Sequence, residues 1–265
     1  MQTKFAEVWG HKIRYLDEGR SDKTIILIHG LGGSAERWLE IIPRLSAKYR
    51  VVAPDMIGFG YSDKPLEDYT IDFFAKFLSA FINNIGLKSA ILVGTSLGGQ
   101  VAAHCASIND AIEKIVLVAP SGTMKSSTPA IDAYMMAALY PNHVSAREAF
   151  AMMSRSGTVD DFTVNDFVKR MTTPNAKLAF ISSVLGIKNS KIEESLEKIM
   201  VPTLIVWGRQ DRMIPIDHAD KFVSSIKGCM FLEIDNCGHL PHVEMPDRFS
   251  DYVLEFLGSK LVLAE

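Results

Sequence analysis

The sequence predicts an α/β protein, a mostly parallel sheet covered on both faces by helices. Three observations carry that expectation. Five strand-length runs, 24–28, 51–53, 90–93, 115–118 and 203–207, are apolar almost throughout, as befits parallel strands buried on both faces. Helical patterns fall between most of them, and strand–helix alternation implies right-handed crossovers within one sheet. Glycine-rich turns follow several of the runs, at the carboxyl ends of the strands where function gathers in such sheets.

The elements follow in order. Amphipathic runs at 4–9 and 12–16 flank Gly10-His11 and predict an antiparallel hairpin. The apolar run 24–28 is the first buried strand, and a helix is expected over 35–47. Strand 51–53 is followed by a helix over 71–85, strand 90–93 by a helix over 100–107, and strand 115–118 comes next. Between residues 123 and 200 no strand-like run occurs, only helical patterns such as 131–139, 146–154, 165–171 and 191–200. We therefore expect a core of residues 1–122 and 201–265 and a helical cap of residues 123–200 lying over the sheet edge. Met124, Met135, Met136, Met152, Met153 and Met171 fall in that cap. Most should pack its helices, and a few should face a substrate cavity, because methionine adapts to varied apolar shapes. Strand 203–207, a helix over 216–226, strand 230–234 and a helix over 246–257, with proline at its start, complete the chain.

Composition narrows the function. The 265 residues are 48% hydrophobic and 22% charged, enough for one large core or a core with an inserted subdomain. A net charge of −3, with no dense Lys/Arg block, argues against nucleic acid as a partner. No apolar run approaches membrane-span length, and residues 1–7 lack the apolar core of a signal peptide. Cys105, Cys229 and Cys237 have no metal-ligand or Cys-x-x-Cys spacing, so reduced thiols are expected. Together these features predict a cytoplasmic protein that acts on a small molecule, and they leave a homodimer open.

The most informative segment is Gly94-Thr95-Ser96-Leu97-Gly98-Gly99, placed between the apolar run 90–93 and a helical stretch. Gly-x-Ser-x-Gly at a strand-to-helix junction is the signature of a nucleophile elbow. The turn is so sharp that bulky residues two places either side would collide, and the serine oxygen stands clear of the sheet at the positive end of a helix. A serine nucleophile needs a base, and the base needs an orienting carboxylate. Asp211 lies just past strand 203–207, and His239 just past strand 230–234, in Asn236-Cys237-Gly238-His239-Leu240-Pro241. The chain order Ser96, Asp211, His239 fits a hydrolase of this type. Asp211 could instead simply begin a turn, and His242 competes with His239; Gly238 favours His239 by freeing the backbone that presents it. Asp235 and Asp217 are weaker carboxylate candidates. A tetrahedral intermediate also needs donors for its oxyanion. His29-Gly30-Leu31-Gly32-Gly33 follows the first buried strand, and the N–H groups of Leu31 and Leu97 are the expected pair. His29 is read as a structural histidine holding this loop.

With these residues in view, the chain resembles the α/β-hydrolase superfamily over nearly its whole length. The resemblance rests on His29-Gly30-Leu31-Gly32-Gly33, Asp55-Met56-Ile57-Gly58-Phe59-Gly60-Tyr61-Ser62, the elbow at Ser96, Gly208-Arg209-Gln210-Asp211 and Gly238-His239. It implies an eight-stranded sheet, a helical cap, and hydrolysis without metal or organic cofactor. Similar proteins include carboxylesterases, carbon–carbon hydrolases of meta-cleavage products, lactonases and cofactor-free haloperoxidases. Dehalogenases and epoxide hydrolases of this fold place aspartate where this chain has Ser96.

The carbon–carbon hydrolases typically carry a cap arginine that grips the substrate carboxylate, and Asp166-Phe167-Val168-Lys169-Arg170 resembles that segment. Arg170 is the corresponding substrate-binding candidate, with a solvated cap residue as the competing reading. Those hydrolases typically have Asn where this chain has Thr95, Trp where it has Leu240, and more glycine in the loop at His29. These departures put ester hydrolysis first. The expectation is a carboxylesterase of small to medium apolar substrates working through an acyl-enzyme on Ser96, with dienoate cleavage second. A slow ligand receptor of the same fold comes third. Trp38, Phe59, Met124 and Met213 are expected pocket neighbours.

Overall fold

The computed structural model of the chain describes residues 1–259; the last six residues of the expected core, 260–265, lie outside the described residues. Eight strands form one sheet in the order β1-β2-β4-β3-β5-β6-β7-β8. β1 (Gln2–Val8) and β2 (His11–Glu18) make the expected hairpin, with Val8 opposite His11. β3 (Thr24–Ile28) lies parallel to β4 (Arg50–Pro54), which also pairs antiparallel with β2. Between β3 and β4 the expected single helix over 35–47 is two short pieces, a 3₁₀ turn at Ala35–Trp38 and α1 (Ile42–Leu45). Pro43 sits in the first turn of α1, where its missing N–H is tolerated, and so marks a new helix start.

α2 (Ile71–Asn84) begins at Thr70, whose hydroxyl accepts the Phe73 N–H. Ile71, Phe74, Phe77, Phe81 and Ile82 form its buried stripe. β5 (Ala90–Thr95) is central, parallel to both β3 and β6 (Ile112–Val118), and α3 (Leu97–Ile108) follows it after one residue.

β6 leads into five helices before the chain rejoins the sheet. These are α4 (Pro129–Leu139), α5 (His143–Met153), α6 (Asp161–Met171), α7 (Ala176–Asn189) and α8 (Glu193–Leu196). Thr128, Asn142 and Asp160 cap the first three through side-chain oxygens. Two expectations need correction here. Helix 191–200 is only the four residues of α8, and α7 was not marked by its sequence. α7 buries Ala176, Ala179, Phe180, Ser183 and Gly186 while Leu178, Ile181 and Leu185 lie exposed. Apolar residues on both sides erase the amphipathic period that betrays a helix.

β7 (Thr203–Gly208) pairs with β6, and the edge strand β8 (Met230–Ile234) pairs with β7, both parallel. The expected helix 216–226 is a 3₁₀ turn at Ile216–His218 running into α9 (Ala219–Ser225). α10 (Pro241–Glu244) and α11 (Pro246–Gly258) follow β8. Alternate residues of β3 face opposite cores: Ile26 and Ile28 join the side packed by α2 and α3, and Ile25 and Leu27 join the side packed by α1 and α11. Cys105, Cys229 and Cys237 are unpaired, and burial pushes the Cys105 thiol up to about 11. Among the described residues no helix is long and apolar enough to cross a membrane.

Candidate active site

The turn between β5 and α3 is built by close approach. A Cβ on Gly94 would strike the Gly98 carbonyl, and one on Gly98 would strike the Ile28 carbonyl of β3. Only glycine fits at either place. The chain therefore reverses within one residue, and Ser96 takes φ 54° and ψ −120°, outside the regions open to most side chains. The Ser96 N–H donates to the Val118 carbonyl (2.9 Å), and its own carbonyl accepts from Gly99, Gln100 and Ser121 (3.0–3.1 Å). The strained residue is thus held by β6 and by the first turn of α3, with its side chain half-buried at the helix N-terminus.

Asp211 and His239 reach this place from two loops. Asp211 follows β7; its Oδ1 accepts the N–H groups of Met213 (2.8 Å) and Ile214 (3.0 Å), and its Oδ2 lies 2.7 Å from His239 Nδ1. The proton on that contact belongs to Nδ1, because an ionised carboxylate only accepts. Nε2 is left as the basic nitrogen. The His239 N–H donates to the Met153 carbonyl at the end of α5 (2.8 Å). Gly238 lets that approach happen, since a Cβ there would meet the same carbonyl. Asp211 and His239 are both buried, and Ser96 and His239 line one cavity of about 570 Å³.

The loop after β3 forms another wall. Gly30 comes so near that a Cβ on it would lie 3.2 Å from Ser96 Cβ. Burial pushes the His29 imidazole pKa down; its Nδ1–H donates to the Gly30 carbonyl (2.8 Å) and its Nε2 accepts the Met56 N–H (3.0 Å). Leu31 lies in this loop and lines the cavity, and Leu97 is the first residue of α3, directly after Ser96. That first-turn N–H has no intrahelical acceptor. The Leu31 carbonyl is turned away and accepts from Tyr134 Oη (2.6 Å); burial pushes the Tyr134 hydroxyl up to about 12, so it stays a donor. Asp55 anchors the loop from behind: it accepts the Ala35 and Tyr61 N–H groups (2.7 and 2.8 Å) and pairs with Arg14 (3.0 Å).

The other candidates divide. Met124 and Met213 line the cavity, as do Met135 and Met153. Trp38 and Phe59 do not. Trp38 is fully buried and stacks on His242 with ring centroids 4.2 Å apart, and Phe59 packs between His29 and Phe74. Both are core residues, Trp38 in the core packed by α1 and α11 and Phe59 in the core packed by α2 and α3. The reading of Arg170 as a solvated residue is also overturned. It is 3% exposed, lines the cavity, pairs with Asp166 (2.8 Å) and donates to the carbonyls of Gly32 (2.7 Å) and Gly33 (3.1 Å). Asp166 in turn accepts from Tyr61 Oη (2.6 Å). His242 is buried with neither ring nitrogen hydrogen-bonded, and burial holds its pKa well below the ordinary histidine value. Asp211 lies against His239 and not against His242.

Three lining or supporting residues carry no sequence signal of their own. Arg37 and Tyr134 reach the cavity from separate elements. Gln100 links Ser121 (2.7 Å) to Ser190 (2.6 Å), tying the wall beside Ser96 to the residue after α7.

A family model described as the alpha/beta hydrolase fold matches residues 23–246, and the chain belongs to that family. Within it, the chain is 28% identical to a 2-hydroxy-6-oxo-6-(2'-aminophenyl)hexa-2,4-dienoic acid hydrolase of Metapseudomonas resinovorans, over 97% of this chain and 91% of that one. It is 27% identical to the monoacylglycerol lipase abhd6-A of Xenopus laevis, over 98% of this chain and 83% of that protein. Among solved structures, a meta-cleavage product hydrolase of Pseudomonas fluorescens superposes with a TM-score of 0.86 at 26% identity, covering 96% of this chain and 97% of that one. The relatives thus include both a carbon–carbon hydrolase and an ester hydrolase.

Proposed function

We propose that the protein is a serine hydrolase of carboxylic esters, with Ser96 as nucleophile, His239 as general base and Asp211 as its orienting carboxylate. The observation that carries this reading is the 2.7 Å contact between Asp211 and His239 Nδ1, with His239 lining the same cavity as the strained Ser96. His239 Nε2 takes the Ser96 proton as Oγ attacks the ester carbonyl. The N–H groups of Leu31 and Leu97 stabilise the oxyanion. Collapse expels the alcohol, protonated by His239, and leaves an acyl group on Ser96. Water activated by the same imidazole then releases the acid and restores the serine. Residues 123–200 act as the cap of this site. The cap supplies Met124, from the segment before α4, and Ile131, Met135 and Phe150, from α4 and α5, to the cavity, so the acyl or alcohol group it takes is largely apolar.

Steady turnover of p-nitrophenyl butyrate, lost by at least a thousandfold in Ser96→Ala, is the result expected. Full activity in that variant would end the proposal. A second reading, carbon–carbon cleavage of a dienoate, is favoured by the burial of Arg170 at the cavity wall. Comparing p-nitrophenyl esters with a coloured dienoate decides between the two.

A further inference from the structure

Arg37 stands at the cavity wall with most of its hydrogen-bonding capacity unused. It belongs to the 3₁₀ turn that follows the Gly30–Gly33 loop, and so is carried by the same segment as Leu31. One N–H, from Nη1, donates to Thr163 Oγ1 of α6 (3.2 Å), and the guanidinium lies 5.3 Å from the centre of the Phe150 ring of α5. Among the described residues no carboxylate comes within 4.0 Å of it. A guanidinium has five N–H donors in a rigid fork. Arg37 is half-buried, and burial lowers its pKa. Asp160, which accepts from Thr163 Oγ1 (2.7 Å), and Asp166 act on it only from beyond ion-pair distance, and a cation withdrawn from water without a contacting carboxylate is costly.

The contrast with Arg170 is informative. Arg170 lines the same cavity, but Asp166 neutralises it and two backbone carbonyls occupy Nη1. Its cation therefore serves to hold the loop. Arg37 has no carboxylate in contact, Asp160 and Asp166 lying beyond ion-pair distance, and the cavity lining adds Lys125 and Lys188 against a single Asp132. The cavity is apolar in shape and cationic in charge.

We propose that Arg37 binds a carboxylate on the substrate, so that the esters this enzyme prefers are half-esters carrying a free carboxylate beyond an apolar spacer. A carboxylate matches the planar fork, and the single unpaired cation suits a single negative charge. The inference rests on the ester-hydrolysis reading and supplies its substrate class.

The test compares mono-p-nitrophenyl glutarate with p-nitrophenyl pentanoate in the wild type, Arg37→Gln and Arg37→Lys. The wild type should favour the charged ester. Arg37→Gln should lower the charged-to-neutral ratio of kcat/KM by about tenfold or more, chiefly through KM, since a hydrogen-bonded charge pair is worth about that much. Arg37→Lys should fall between. Equal losses on both esters, or an unchanged ratio, would overturn the proposal. A second measurement does not depend on turnover: glutarate should raise the Tm of Ser96→Ala protein and fail to do so in Ser96→Ala/Arg37→Gln. If neither ester is turned over, the ester reading falls, and the glutarate shift still decides whether Arg37 holds a carboxylate.

Discussion

At the smallest scale the proposed chemistry rests on the backbone of residue 96 and the ring of residue 239. With Nδ1–H directed at Asp211, the imidazole offers only Nε2 as a base. Asp211→Asn keeps the shape but presents an amide that can donate to Nδ1 and stabilise the wrong tautomer. We expect kcat to fall by about a thousandfold to ten-thousandfold with KM little changed, checked by steady-state kinetics on p-nitrophenyl butyrate. Two other histidines matter for stability. His29 and His242 are both buried, and their folded pKa values lie below the ordinary 6.5. The unfolded chain therefore binds protons that the folded chain does not. Their contribution is intact above about pH 6.5 and is lost as pH falls through that value, at no more than about 1.4 kcal/mol per pH unit for each histidine. Thermal melts from pH 7.5 to 5.5 should show Tm dropping, and His242→Leu should flatten the slope. An equal slope in that variant would contradict the assignment.

Elements fix where those residues stand. β5 and α3 meet at an angle that only Gly94 and Gly98 permit, so Gly98→Ala should push α3 away from β3. A loss of about 1–3 kcal/mol in urea unfolding, as for overpacked sites, should accompany a fall in activity that exceeds the loss of folded protein. α6 offers a parallel case. Its Asp166–Arg170 pair is buried and ties the helix to the Gly32 and Gly33 carbonyls. Asp166→Asn leaves a buried guanidinium uncompensated, for which about 3–5 kcal/mol is expected, again measured in urea. The elements legible in the sequence were those with a plain local pattern: the continuously apolar strands, the hairpin, and α2 with its phenylalanine stripe. α7 was hidden because both of its faces are apolar. The helix expected over 35–47 is broken where Pro43 starts α1, a local signal, and Trp38, Ile41 and Ile42 are buried on either side of that break.

Across the whole molecule, the sheet separates two apolar cores. Leu78 of α2 lies in one and Leu45 of α1 in the other, each fully buried. Leu78→Ala and Leu45→Ala should each cost about 2–5 kcal/mol, and the double variant should cost the sum to within about 0.5 kcal/mol, because the cores share no contacts. A large coupling energy would mean that the sheet transmits strain between its faces.

The class of fold, the turn at Ser96, and the order in which Ser96, Asp211 and His239 arise can all be read along the chain. Strand burial and a one-residue reversal are local matters, and glycine spacing records them directly. Packing in three dimensions is what puts Trp38 and Phe59 in the cores, pairs and buries Arg170, and leaves Arg37 at the cavity wall with no carboxylate in contact. Which side chains share a cavity depends on how distant segments pack, and whether a charge is compensated depends on neighbours that no spacing along the chain reveals.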